Sequence, residues 1–200
     1  MNEIENVLSL FKTPEDWNSF IALSNMKGSM VLKLKNRLLT EMQKIADSKL
    51  SGTGWKYDAK DDYISIVPQR HLALSICIEW RHWSSISSWY KRGAGIWINP
   101  SEIIPEKFIE KVYANAELKG FLTANGFHES RENAWYPFVK TIPAIVFFPN
   151  GDNDSCLFEE ECLFRAKQDA EGLAVDLWNE VFKPFVEKED LISILVEDLQ

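Results

Sequence analysis

The sequence contains little cysteine, and the cysteines it has form no recognisable pattern. Cys77, Cys156 and Cys162 are odd in number and include no C-x-x-C pair. A disulfide-stabilised secreted domain and a cysteine-ligated zinc site would both require such pairs. We therefore predict reduced thiols and a cytoplasmic location.

Long apolar runs are also missing. The longest, residues 142–148, is interrupted by Pro143 and falls far short of the ~20 residues that a membrane helix needs. The N-terminal stretch MNEIENVLSLFKT lacks the basic start and the continuous apolar segment of a secretion signal. The sequence thus predicts a protein that neither enters nor crosses a membrane.

Familiar catalytic motifs are absent as well. No glycine-rich phosphate loop precedes a predicted helix, and no Gly-x-Ser-x-Gly nucleophile motif occurs. The histidines His71, His82 and His128 have no cysteine or carboxylate at metal-ligand spacing. These absences favour a protein without enzymatic activity, and they predict no cofactor and no metal site.

Charge is present but unevenly distributed. The net charge of -8 arises in the last 49 residues, which contain 14 acidic and four basic residues. The preceding part of the chain has nearly equal numbers of both. An acidic surface disfavours nonspecific DNA binding, because phosphate contacts require lysine and arginine. It leaves open an alternative in which the acidic C-terminal helix mimics nucleic acid. That alternative requires the acids to share one helix face.

The first 50 residues are predicted to be helical. Residues 13–16 provide an N-cap, a proline at the first helical position and two acids in the first turn. The apolar spacing predicts one helix that ends at Gly28 and a second that begins near Ser29. This N-terminal helical segment (residues 1–50) precedes an α+β domain (51–200), unless the whole chain is a single domain.

The apolar period changes to two after residue 54. Residues 55–57 and 63–67 flank a polar turn, which predicts a hairpin. Residues 71–81 alternate apolar and polar side chains, and residues 95–99 provide a partner strand. These strands predict an antiparallel meander sheet.

Helices return in the second half of the chain. The predicted elements are a helix beginning at Pro105, a further turn ending at Asn125-Gly126, a strand over 134–141 that Pro137 restricts to an edge or a bulge, a long helix over 163–186 and a last helix over 190–199. We therefore predict an α+β fold with N-terminal helices and a long C-terminal helix packed on the sheet. The last helix either docks on the core or forms a homodimer.

An aromatic and basic segment between two predicted strands is the strongest candidate for a binding surface. Within CIEWRHWSSISSWYKRGAGIW (residues 77–97), the side chains Trp83, Trp89, Tyr90, Lys91 and Arg92 lie close together in the sequence with no acid among them. Tryptophan, tyrosine and arginine dominate protein-binding hot spots, and they also stack on bases. We predict that these five residues bind a protein partner, with nucleic acid as a second possibility. The alternative is a structural hairpin in which the tryptophans are core residues.

A catalytic interpretation of the same region uses four other residues. Asp58 and Asp62 lie in the predicted hairpin, and Glu79 and Arg81 share one face of the alternating strand. Two carboxylates and a basic residue on neighbouring strands resemble the D…(D/E)-x-K arrangement of PD-(D/E)XK nucleases, in which carboxylates hold Mg²⁺. Arginine replaces the lysine, and arginine cannot give up a proton at neutral pH. The alternative is an ion pair between neighbouring strands.

The order of the elements from residue 55 onward carries a further resemblance. W-x-Y at 55–57, ALSICIEW at 73–80, the Asn125-Gly126-Phe127 helix end, Trp135 and Trp178 resemble the C-terminal accessory region of bacterial PD-(D/E)XK nuclease-like proteins. The resemblance implies a domain that recognises a substrate or partner, in bacterial or phage defence, and it does not imply cleavage. We therefore expect a non-enzymatic protein that binds a macromolecule or regulates one.

Overall fold

The computed structural model describes residues 10–60, 63–79, 93–130, 134–147 and 158–197. These residues form an α+β fold, as predicted, with one six-stranded antiparallel sheet. The strands are β1 (Trp55–Lys60), β2 (Tyr63–Pro68), β3 (Leu74–Glu79), β4 (Gly93–Ile98), β5 (His128–Glu129) and β6 (Phe138–Thr141). Their order across the sheet is β1-β2-β3-β4-β6-β5.

Helices cover one face of this sheet. They are α1 (Pro14–Lys49), α2 (Pro105–Ala114), α3 (Ala116–Ala124), α4 (Phe158–Leu177), α5 (Lys183–Glu187) and α6 (Glu189–Glu197), with a 3-10 turn at Ala144–Val146 and a π-helical turn at Trp178–Phe182. Within the described ranges, no helix combines the length and the apolar composition needed to cross a membrane.

Alternate residues of the central strands build the core. Ile64 of β2 lies opposite Ile78 of β3, and Ile76 of β3 lies opposite Ile96 of β4. These side chains are almost completely buried. We call this side of the sheet the helix face, because Leu38 and the other buried residues of α1 and α4 pack on it. The alternation predicted for residues 71–81 is thereby confirmed over β3.

The N-terminal helix begins as predicted but does not break where expected. Thr13 caps α1: its Oγ1 accepts a hydrogen bond from the amide of Asp16, and the Asp16 carboxylate accepts one from the Thr13 amide. The predicted end at Gly28 is wrong, since α1 continues to Lys49. A single glycine inside a helix costs only about 1 kcal/mol relative to alanine, and the flanking residues are good helix formers.

The long C-terminal helix is interrupted by a π-helical turn. Pro184 has no amide hydrogen, so the carbonyl of Glu180, four residues earlier, loses its helical donor. Lys140 of β6 replaces that donor, because its Nζ lies 2.8 Å from the Glu180 carbonyl oxygen and also pairs with the Glu180 carboxylate. Sequence periodicity predicted one helix over 163–186, whereas helical structure begins at Phe158, is kinked at Asp169 and contains the π-helical turn at residues 178–182.

The last helix packs on its own chain. Leu191 and Ile192 of α6 are buried in the core, and the Glu189 carboxylate accepts a hydrogen bond of 2.8 Å from the Gly54 amide. These two apolar side chains are therefore not available to a second copy.

The strand after Pro137 is not at the edge of the sheet. β6 lies between β4 and β5, so the expectation of an edge or a bulge is wrong. Pro137 immediately precedes β6 and needs no amide there, while its carbonyl accepts a hydrogen bond of 2.9 Å from the Ser130 amide.

Candidate functional site

The other side of the sheet carries polar and small residues and contains a cavity. We call it the cavity face. One cross-strand row on it is fixed by the register: Asp58, Ser65, Cys77, Gly95 and Val139 lie on neighbouring strands in that order. The cavity has a volume of about 390 Å³ and is lined by Lys56, Asp58, Tyr63, Ser65, Val67, Leu72, Ser75, Cys77, Glu79 and Trp97.

Hydrogen bonds hold the β1–β2 end of the cavity. The hydroxyl of Tyr63 donates to Asp58 Oδ2 at 2.7 Å, and the hydroxyl of Ser65 donates to the Asp58 carbonyl oxygen at 3.0 Å. Ser65 and Ser75 are both buried, which is unusual for serine. This end of the cavity is therefore a polar wall whose side chains are positioned by the sheet.

At the β3–β4 end of the cavity, Tyr136 packs on the sheet and contacts Cys77. The ring of Tyr136 lies against Gly95, where a Cβ atom would collide with the ring. This contact brings the Tyr136 Oη to 3.3 Å from the Cys77 Sγ. Together with Val139, these side chains form a small second core on the cavity face.

Burial controls the protonation of this pair. It raises the pKa of the Cys77 thiol, and the hydrogen bond with Tyr136 offsets that increase only in part. Burial also raises the pKa of the Tyr136 hydroxyl, and its interactions with Cys77 and with the Glu79 carboxyl group raise it further. Both groups therefore stay protonated at physiological pH. A thiol in this state is not a nucleophile.

Glu79 lies beside this pair and has an unused acceptor. The residue is half-buried, but its Oε2 is shielded from solvent and accepts no hydrogen bond from the described residues. A buried carboxylate oxygen without a donor costs free energy in the isolated protein. A donor from outside the described residues would recover that free energy.

Two tryptophans extend the site beyond the cavity. Trp97 lines the cavity and stacks on Trp135, with ring centroids 5.8 Å apart and ring planes inclined by 25°. The Trp135 carbonyl accepts a hydrogen bond of 3.0 Å from the Ile98 amide, and the Trp135 side chain remains exposed. Trp97 lies opposite Ser75 of β3, is half-buried, and packs against the small second core of the cavity face.

The predicted binding residues Trp83, Trp89, Tyr90, Lys91 and Arg92 lie outside the described residues. The segment that contains them, residues 80–92, joins β3 to β4. It follows Glu79 directly and precedes Gly93, and Glu79 lines the cavity. The predicted binding segment therefore begins directly after a residue that lines the cavity.

Of the four residues in the catalytic interpretation, Asp58 and Glu79 both lie on the cavity face, while Asp62 and Arg81 fall outside the described residues. The whole of β2 separates Asp58 from Glu79, a distance of about 10 Å between the strands. Carboxylate oxygens that share one Mg²⁺ lie within about 4 Å of each other. In the described part of the chain, no three His, Cys, Asp or Glu side chains form a group that could hold a metal.

Sequence reasoning missed Tyr136, Ser65 and Ser75 as site residues. The signal was weak: a glycine at position 95, within a strand, permits close approach of another group, but it does not identify Tyr136 as that group. No family model, curated protein or solved structure matches this chain.

Proposed function

We propose that the protein has no enzymatic activity of its own and binds a protein partner at the cavity, with residues 80–92 extending the contact. The observation that carries this proposal is the shielded Glu79 Oε2 in the cavity wall, for which the described residues provide no donor. A partner that inserts an arginine or lysine into the cavity would neutralise the charge of Glu79, and it would supply this donor once the carboxylate turned toward the cavity.

The rest of the cavity suits such a side chain. Val67 and Leu72 offer apolar contact for the methylene groups, and the indole of Trp97 offers a surface on which a guanidinium can stack. The hydroxyls of Ser65 and Ser75 can accept further hydrogen bonds. Arginine, with a planar head and several donors, fits this combination better than lysine.

The adjoining segment would supply additional binding energy. Trp83, Trp89, Tyr90, Lys91 and Arg92 are residue types that form hot spots in protein interfaces. We retain them as the second part of the proposed interface. A role as a regulator or inhibitor in a conflict between bacteria and phage rests on the sequence resemblance alone.

The two alternative functions have less support. A Mg²⁺-dependent nuclease is disfavoured by the strand between Asp58 and Glu79. A nucleic-acid mimic needs free acids on one helix face, yet Asp169 and Asp176 both lie against the buried Arg165, and Glu180 pairs with Lys140. These ion pairs reduce the negative charge that the C-terminal helices can offer.

Selection from a random peptide library displayed on phage would test the proposal. The bait is the full chain, and the selected peptides are then assayed against Glu79→Gln. We expect the peptides to share an arginine or lysine, and we expect their affinity to fall about tenfold or more in Glu79→Gln, because a charge-assisted hydrogen bond is lost.

Glu110→Gln is the matched control, since Glu110 is an exposed carboxylate that does not line the cavity. It should bind the selected peptides like the wild type. Peptides without a basic residue, or equal binding by the two variants, would contradict the proposed role of Glu79. Failure to enrich any peptide would contradict the cavity as a peptide-binding site.

A further inference from the structure

The N-terminal half of α1 is apolar and exposed. Every residue from 12 to 30 is exposed, whereas the C-terminal half of the same helix is buried in the core at Leu38, Met42 and Ala46. The exposed half carries six large apolar side chains, Trp17, Phe20, Ile21, Leu23, Met26 and Met30, and the exposed Leu32 lies just beyond it. An apolar surface of this extent on one helix is typical of a contact site.

One stripe of this half-helix, which we call the polar stripe, carries no large apolar side chain. Asn18, Ala22, Asn25 and Ser29 follow each other at intervals of four, three and four residues, so they lie on one side. The opposite side carries another stripe with the same spacing: Asp16, Phe20, Leu23 and Lys27. Between Asp16 and Lys27, no residue of α1 is charged.

This second stripe is complementary to itself when reversed. If two copies run antiparallel, Asp16 of one lies opposite Lys27 of the other, and Phe20 lies opposite Leu23. A two-fold axis makes each of these contacts twice.

We propose that the protein forms a homodimer in which the N-terminal halves of α1 pair antiparallel about a two-fold axis between Ile21 and Ala22. Charge complementarity selects a second copy as the occupant of this apolar surface, because each end of the stripe meets the opposite charge. The dimer leaves the cavity face of each copy free for a partner.

Sedimentation velocity of the full chain as a function of concentration tests the dimer. Wild type should sediment as a dimer. Phe20→Asp should raise the dissociation constant of the dimer at least about a hundredfold, because it buries a charge between the two paired helices. Asn18→Asp is the matched control: it adds the same charge in the same turn but on the polar stripe, and should remain dimeric. Both positions are exposed, so neither variant should unfold, which circular dichroism would check.

Charge reversal tests the antiparallel register. Lys27→Glu places like charges opposite each other at both ends of the paired stretch, and should weaken the dimer about tenfold at low salt and less at high salt. Lys33→Glu makes the same change outside the paired stretch and should have little effect. Equal effects of the two reversals would overturn the register. A wild type that stays monomeric, whatever covers α1 instead, or a Phe20→Asp variant that stays dimeric, would overturn the dimer.

Discussion

On the helix face, β3 contributes Leu74, Ile76 and Ile78, all almost completely buried, whereas the cavity face of the same strand carries Ser75, Cys77 and Glu79. Burial is high on both faces, but the chemistry differs. The helix face is aliphatic where β2, β3 and β4 meet the helices, and its buried charge, Lys140, has its partner in Glu180. On β1, the Trp55 Nε1 and the Tyr57 hydroxyl of this face have no partner among the described residues. The cavity face retains a shielded carboxylate oxygen with no donor among the described residues. Folding stability accounts for the aliphatic core of the first face, and the proposed function would account for the unpaired carboxylate oxygen of the second.

Adjacent residues of β3 allow the largest contrast between the two faces. Ile76→Ala should lower the free energy of unfolding by about 3 kcal/mol, because it leaves a cavity among tightly packed side chains. Cys77→Ala should cost about 1 kcal/mol, since it removes a small group and one weak hydrogen bond with Tyr136. Urea denaturation measures both values. Equal losses would mean that the two faces contribute alike to stability.

Gly95→Ala should have the next largest effect. The new methyl group meets the Tyr136 ring and must displace it from Cys77, at a cost of about 2 kcal/mol. Near-ultraviolet circular dichroism should change at the same time, because Tyr136 is adjacent in sequence to Trp135, which stacks on Trp97. Gly120→Ala is the control, since a Cβ there meets nothing within 4 Å in α3, and it should stabilise the protein slightly. An undisturbed Gly95→Ala spectrum would argue against the contact.

A pH titration gives the smallest expected effect. The folded-state pKa of Cys77 is raised above its ordinary value of 9.0, so its contribution to stability is fully present below that pH and is lost as the pH rises above it. Between pH 9 and pH 10, wild type should lose about 1 kcal/mol more than Cys77→Ala. Parallel stability curves for the two proteins would show that the thiol is not shielded as described.

The helix face was readable from the sequence, because each of its elements is encoded by local periodicity. The alternation around β3, the capping residues of α1 and the Asn125-Gly126 helix end each specify an element with few neighbours. The predictions of helix and strand boundaries were wrong or incomplete at two prolines, whose effect on the local structure depends on their surroundings. Lys140 supplies the donor that Pro184 removes, and the proline before β6 precedes the strand, so it removes no hydrogen bond from it.

The cavity face could not be predicted in the same way. Its alternating positions on β3 were identified, but nothing local indicated that Tyr136 would reach Cys77 from a segment 59 residues away in the chain. Glu79 was singled out for an ion pair or a metal, whereas the structure distinguishes it by an Oε2 atom without a donor among the residues described. Such a property depends on the tertiary surroundings and has no sequence signature.

The central claim is that Glu79 is retained for binding at the expense of stability. Chemical denaturation of Glu79→Met, an apolar residue of similar size, tests it most directly when combined with peptide binding by the same variant. We predict that Glu79→Met is at least as stable as wild type, by up to about 1 kcal/mol, and no longer binds the selected peptides. A clear loss of stability in this variant would contradict the claim, because it would assign Glu79 to the fold.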